Sequence, residues 1–385
     1  VEIYDQNQFE YPDLIVNLNT SHPHLLDANV LESLHHCEAL FLTISDRLSY
    51  FPISVAERKK LYHELLRFWL KFFSDNTYDK VMMESTPHMC WDNVLYSVAR
   101  YLKIPVYYLE RTTINNRVIL VEDYRKSEVL PLNFNQNESM EALINQVDHN
   151  LFESVFAQSL VIKRSNRRLA KTNAEYLSVS DKIRKLLDLH EINRIVKKKK
   201  SNFLKLPKKS RHSATFFNGR YRNITIALLQ SIHRRLMRKI RKFYENNVQE
   251  LDMSKKFVFF PLHLQPERTS TPLGGFFEHQ EFAIEILNKT IPDDWLIYVK
   301  ENPMQFYSLY LKSRHVKGIS FYKKLLSLDK VRFVSTEVSS KPLVENAQFT
   351  STLSGSAGWE SLVNNKPCIV FGNPWYRPCQ SCYYV

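Results

Sequence analysis

Residues 349–372 read Phe-Thr-Ser-Thr-Leu, Ser-Gly-Ser-Ala-Gly, Trp-Glu-Ser-Leu-Val-Asn-Asn and Lys-Pro-Cys-Ile-Val-Phe-Gly. That is a strand, a small-residue turn, a short helix and a second strand, the pattern of a wound α/β layer. The turn Ser354-Gly355-Ser356-Ala357-Gly358 puts little bulk at the first turn of the helix. Unpaired N–H groups and the positive dipole end there favour an anion, and a nucleotide-sugar phosphate suits such a turn. Glycine is otherwise scarce. Of seven, none precedes Gly219, and Gly274, Gly275, Gly355, Gly358 and Gly372 fall in strand-end segments of the last third. Glycine recurs where backbone must come close to a ligand.

The same alternation organises both ends of the chain. Short apolar or β-branched runs at 14–17, 39–44, 80–83, 105–109 and 117–121 are expected to be strands of a buried parallel sheet. Helices are expected over 55–73, opened by a Ser54/Glu57 capping box, and over 91–102. The pattern resumes at Lys256, with strands at 257–261, 296–300, 331–334, 349–353 and 368–371. Helices are expected at 278–288, 320–327, 341–346 and 358–364. Residues 126–250 are helical and polar. The expected fold is α/β: an N-terminal Rossmann-like domain over 1–125, a helical insertion and basic connector over 126–250, and a C-terminal Rossmann-like domain over 251–385. The two domains would face a cleft that gathers ligands at strand carboxyl ends.

No run of about 18 apolar residues is present, so no spanning helix is expected, and no secretory leader pattern opens the chain. The chain starts at Val1 and stops soon after Phe371-Gly-Asn-Pro-Trp-Tyr376, so both termini are expected to be incomplete. Five cysteines argue against a disulfide framework and for a reducing compartment. Cys379-x-x-Cys382 is half of a zinc spacing without its second half, there is no HExxH, and no metal site is expected. His22-x-His24 and His35-His36 read as ordinary loop and helix residues.

The net charge of +13 is concentrated. Residues 181–250 hold 20 Lys/Arg against 5 Asp/Glu, so the remainder of the chain is slightly acidic. Within this segment Ile224, Leu228, Ile232, Leu236, Ile240 and Phe243 form an apolar stripe with cations beside it. Such a helix suits an anionic membrane surface. It equally suits packing on the core with a solvated basic face. Nucleic acid is the weaker reading, since no nucleic-acid motif accompanies the charge.

Polar clusters follow the expected strands. In the last third they are His263, Gln265 and Glu267, whose alternation would point them to one side; Lys300-Glu-Asn302; and Ser354–Gly358 with Glu360. In the first third, Asp46, Glu84, His88, Asp92 and Glu110 are candidate general bases. The plainer alternatives are an Asp46–Arg47 ion pair and His88 or Asp92 as a helix cap. Asp293-Asp294 reads as a surface turn rather than a DxD motif.

The stretches Phe259–Gly275, Trp295-Leu-Ile-Tyr-Val-Lys-Glu-Asn-Pro303, Ser354-Gly-Ser-Ala-Gly-Trp-Glu360, Lys366-Pro and Phe371-Gly together resemble the capsular polysaccharide biosynthesis proteins of bacteria. That family borders the Kdo-type glycosyltransferases of GT-B fold, which use CMP-activated sugars. Ser45-Asp-Arg47 and Thr86-Pro-His88 fit it less distinctively. The resemblance implies a GT-B-like, metal-independent glycosyltransferase without a cofactor. It would transfer sugar from a nucleotide donor, CMP-linked by analogy, to a lipid-linked glycan at the cytoplasmic face of the inner membrane. By the same resemblance, His263, Gln265, Lys300, Asn302, Ser354, Gly355, Ser356, Gly358 and Glu360 would hold the donor, and Asp46, His88, Asp92 or Glu267 would supply the base. Relatives commonly carry His-Pro where this chain has Asn302-Pro303. Asparagine donates a hydrogen bond but cannot become cationic, and Lys300 would supply the charge. A non-catalytic component of polysaccharide assembly or export is the alternative.

Overall fold

A computed structural model describes residues 25–47, 54–114, 117–126, 223–307 and 316–385. For Asp46, Arg47 and residues 223–231 it describes the backbone alone. The strand expected at 14–17, most of the expected insertion and the basic run before residue 223 lie outside the described residues.

The first α/β unit comprises α1 (Ala28–Ser33), α2 (His35–Arg47), α3 (Val55–Asp75), β1 (Val81–Met83), α4 (Cys90–Tyr101), β2 (Val106–Arg111) and β3 (Val118–Val121). The capping box at the start of α3 is present. The Glu57 amide donates to Ser54 Oγ at 3.1 Å and the Ser54 amide to Glu57 Oε2 at 3.2 Å, a device that contributes about 1 kcal/mol. Leu61, Leu65, Trp69 and Phe73 recur every four residues along α3 and are buried. Two expectations are corrected. Residues 39–44 are helical, within α2. The buried set Leu34, Cys37, Phe41 and Ile44 steps by three, four and three, and that period outweighs the strand-like look of a short β-branched run. The sheet is also not wholly parallel: β1 pairs with β2 in parallel, whereas β3 runs antiparallel to β2.

The second unit contains α5 (Asn223–Asn246), β4 (Phe257–Pro261), α6 (Gln280–Thr290), β5 (Leu296–Lys300), α7 (Ile319–Leu326), β6 (Val331–Val334), α8 (Ser340–Asn346), β7 (Phe349–Thr352), α9 (Ser356–Val363), β8 (Cys368–Val370) and β9 (Cys382–Tyr384). Five strands fall where the sequence puts them, and β9 is additional. The order is β6-β5-β4-β7-β8-β9, every pairing parallel. The winding reverses between β4 and β7, which is where wound sheets open a crevice for ligands. Val258, Phe260, Ile297, Val299 and Phe333 face α5, α6 and α7. Phe257, Phe259 and Tyr298 face Leu343 and Val344 of α8.

The basic helix α5 packs on this second core. Among its described side chains His233, Met237, Ile240 and Tyr244 are buried; of the expected stripe Ile240 is buried and Phe243 packs against the core, whereas Ile232 is not. Four residues overshoot a 3.6-residue turn, so that stripe rotates around the helix and leaves Ile232 45% exposed. Arg235, Arg238, Lys239 and Lys242 are on the exposed side.

The units meet through the loop after β4. Leu273, from that loop, lies in the first unit's core, and the Arg268 guanidinium pairs with Glu110 at the end of β2.

Candidate functional site

Three loops at the carboxyl edge of β5, β4 and β7 are bonded into one structure. The His263 ring, just past β4, lies 2.8 Å from Thr352 Oγ1 and accepts the Leu353 amide on Nε2 at 3.1 Å. The neutral ring therefore carries its proton on Nδ1. Burial, with the Lys317 charge adding to it, lowers His263 to about 3, so it is neutral at physiological pH. Its backbone is clamped by the Gln280 amide, which accepts the His263 N–H at 2.7 Å.

The next clamp was not legible in the sequence. Lys317 Nζ donates to the His263 carbonyl and to both oxygens of Glu301, at 3.0 and 3.1 Å. Both side chains are fully buried. Glu301 also accepts the Tyr322 hydroxyl at 2.7 Å and the Asn302 amide at 2.7 Å. One ion pair thus fixes the β4 and β5 loops together, and removing either partner of such a pair costs about 3–5 kcal/mol. Glu301 sits inside a quoted motif but carries no role there, and Lys317 stands in none.

Gln265 is buried. Its side chain donates to the Glu278 carbonyl at 2.6 Å, and its backbone pairs with Gln305. Glu267 is exposed. The alternating trio therefore does not point to one side: His263 and Gln265 turn inward and build the loop. Asn302 Oδ1 accepts the Met304 amide at 3.0 Å and caps the turn that follows. Lys300 is different. It is only 7% exposed, yet its ammonium keeps contact with solvent and makes no hydrogen bond or ion pair with any described residue. Burial lowers its pKa, and Glu301, Glu245 and Glu337 oppose that. It shares the sheet face of Tyr298, the face that α8 covers.

At the third loop, the amides of Ser356 and Ala357 open α9 and donate to no described residue. Ser354 Oγ donates to the Thr269 carbonyl at 2.7 Å, and Ser356 is exposed. The glycines have a packing cause that the sequence did not disclose. A Cβ on Gly355 would stand 2.8 Å from His263 Cε1, and one on Gly358 would collide with Tyr376 and Cys368. Tyr376, buried, donates its hydroxyl to the Gly355 carbonyl. Glu360, in the first turns of α9, is partly buried and pushed up to about 7 by burial, with only Ser356 at 3.4 Å easing it.

On the facing unit, Asp92 receives the His88 and Met89 amides at 3.2 and 2.7 Å and caps α4. His88 Nδ1 lies 2.7 Å from the Thr86 carbonyl. Asp46 stands near the end of a helix and not after a strand; its side chain lies outside the described set. Glu110 accepts from Thr86 and Arg268. Among the described residues, no cluster of three or more His, Cys, Asp or Glu is placed to hold a metal ion.

Fold and site define a class: a wound α/β protein whose anion-favouring turn opens a helix after β7, beside its topological switch point. The chain belongs to a family, capsule polysaccharide biosynthesis proteins, whose family model matches residues 167–378. A comparison with curated proteins finds no match. Among solved structures, the chain is similar to the β-Kdo 2,7-transferase of Thermosulfurimonas dismutans KpsC (14% identity, 43% of this chain and 47% of that one, TM-score 0.27). It is likewise similar to the β-Kdo 2,4-transferase of the same KpsC (17%, 43% and 51%, TM-score 0.26). A third is Methanocaldococcus jannaschii UDP-GlcNAc 2-epimerase (16%, 88% and 72%, TM-score 0.25). The matched part of this chain thus spans about half the length of each KpsC transferase chain.

Proposed function

We propose that this chain is a GT-B-like glycosyltransferase of capsule assembly that binds a nucleotide sugar, CMP-linked, at the crest of β5, β4 and β7. The observation that carries this reading is the start of α9, beside the switch point, where the Ser356 and Ala357 amides donate to no described residue; Lys300, at the end of β5 two strands away, adds a cation without a hydrogen-bond partner among the described residues. A largely buried lysine whose ammonium has no protein partner favours an anionic phosphate. The α9 amides add fixed donors for the charge that develops on the leaving phosphate. No metal is required for that role. His263 stays neutral and shapes the pocket wall rather than shuttling protons. Asp92 is occupied as a cap, so the base that accepts the acceptor hydroxyl's proton is sought at Glu267, His88 or Asp46.

The acceptor is a lipid-linked glycan presented by the first unit. The exposed cations of α5, with the basic run before it, hold the protein against the anionic inner face of the bacterial membrane. Among the described residues, no helix is long and apolar enough to cross a membrane.

A second reading, a non-catalytic assembly or export component, is favoured by Asn302, whose side-chain oxygen serves as a turn cap. Release of CMP from a CMP-linked donor in the presence of capsule acceptor tests the first reading. Turnover that is lost in Glu267→Ala and Ser356→Ala supports it. Turnover unchanged by both, or absent in the wild type with the donor bound, favours the second.

A further inference from the structure

Behind the α9 turn lies a cluster of three thiols outside the proposed site. Cys368 on β8 and Cys382 on β9 are directly paired residues of adjacent parallel strands. Paired strands stand about 4.8 Å apart, and paired side chains share a face, within the Cα separation that a disulfide spans. None of the five cysteines is in a disulfide, Cys368 is buried, and Cys379 and Cys382 are partly exposed. Cys379 is turned toward the same group through a tight turn, its carbonyl accepting the Cys382 amide at 3.1 Å.

We infer that Cys382 and Cys368 form a dithiol modification site that a low-molecular-weight disulfide closes into a cross-strand bond, altering the amino end of α9. Cys382 is the attacking sulfur. The Cys368 S–H hydrogen-bonds it and, together with Arg377, lowers its pKa against the burial that raises it. The Cys382 thiolate attacks one sulfur of the small disulfide, forming a mixed disulfide and expelling one thiolate. That thiolate takes the Cys368 proton. Cys368 sulfur then attacks Cys382 sulfur, and the second small thiol leaves. Two protein thiols are oxidised and one disulfide is reduced to two thiols.

The coupling is steric. Cys368 Sγ fills the space beside Gly358, where an added Cβ would come within 2.7 Å of it. Tyr376 fills the rest of that space and bonds the Gly355 carbonyl. Drawing Cys368 toward β9 removes support from the turn that opens α9. The effect on ligand binding rests on the function proposed above, whereas the bond and its effect on the turn do not.

The test treats the full chain with oxidised glutathione and maps disulfides by mass spectrometry under non-reducing conditions. Expected are a Cys368–Cys382 bond, its persistence in Cys379→Ser, and its replacement by a glutathione adduct on Cys382 in Cys368→Ala. Hydrogen exchange of residues 354–358 should quicken on oxidation, and CMP affinity should fall about tenfold. A Cys379–Cys382 bond, or no bond, in the wild type overturns the site. A Cys368–Cys382 bond with unchanged exchange overturns the coupling. Faster exchange without any CMP binding in the reduced protein leaves the site standing and counts against the proposed function.

Discussion

Arg268 grips Glu110 with both arms of its guanidinium, Nη1 to Oε2 at 3.2 Å and Nη2 to Oε1 at 3.1 Å. The two residues belong to different α/β units, and Arg268 sits in the loop that also carries His263 and Gln265. The bridge therefore ties the crest of the second sheet to the end of β2 in the first. Glu110 is nearly buried, so losing its partner leaves a desolvated carboxylate. Arg268→Met is expected to destabilise by about 1–3 kcal/mol. Adding Glu110→Gln should recover part of that loss, as chemical denaturation in a double-mutant cycle would record. Purely additive losses would mean that the pair contributes no coupling.

Gly358 is fixed by its neighbours. Gly358→Ala forces a methyl against Tyr376 and Cys368 and should cost about 1–3 kcal/mol, read as a lowered melting temperature. Ser356→Ala, two residues earlier and exposed, should stay within about 0.5 kcal/mol of wild type. Equal stability of the two variants would show that α9 tolerates displacement at its start.

His263 makes stability depend on acid. Its folded pKa, about 3, lies below the ordinary histidine value of 6.5, so the unfolded chain binds the extra proton. The contribution is complete above pH 6.5 and is lost as pH falls toward 3. The slope from this residue is about 1.4 kcal/mol per pH unit within that window. His263→Gln should flatten the profile below pH 6.5, as urea titrations at several pH values would reveal. An unaltered slope would place the titration elsewhere.

Glu360 gives the opposite dependence for ligand. Raised to about 7, it is largely neutral below that pH and becomes an anion above it, close to the α9 amides. Nucleotide affinity in the wild type should weaken above pH 7 relative to Glu360→Gln. Parallel pH profiles for the two proteins would remove Glu360 from the ligand's surroundings.

Much of the second unit was legible because its strands are short, apolar and interrupted by polar strand-end motifs. The run 296–300, for example, forms β5 as read. The run 39–44 misled, since six apolar or β-branched residues satisfy strand and helix alike until burial at positions 34, 37, 41 and 44 reveals the period. The site divided in the same way. Lys300 ends β5 and the Ser354–Gly358 turn follows β7, as the strand pattern implies. Lys317, Tyr376 and the Arg268–Glu110 bridge depend on contacts between residues far apart in sequence, which spacing cannot disclose. The α9 glycines looked like room for a ligand, yet protein atoms occupy much of it.

The most direct measurement is calorimetric titration of CMP into wild type and Lys300→Met, with melting temperatures alongside. The account predicts CMP binding by the wild type and an affinity at least tenfold weaker in the variant. The variant's melting temperature should be equal or higher, because the Lys300 ammonium makes no hydrogen bond or ion pair with a described residue that the substitution would break. Equal CMP affinity in both proteins, or a preference of the wild type for UDP over CMP, would contradict it.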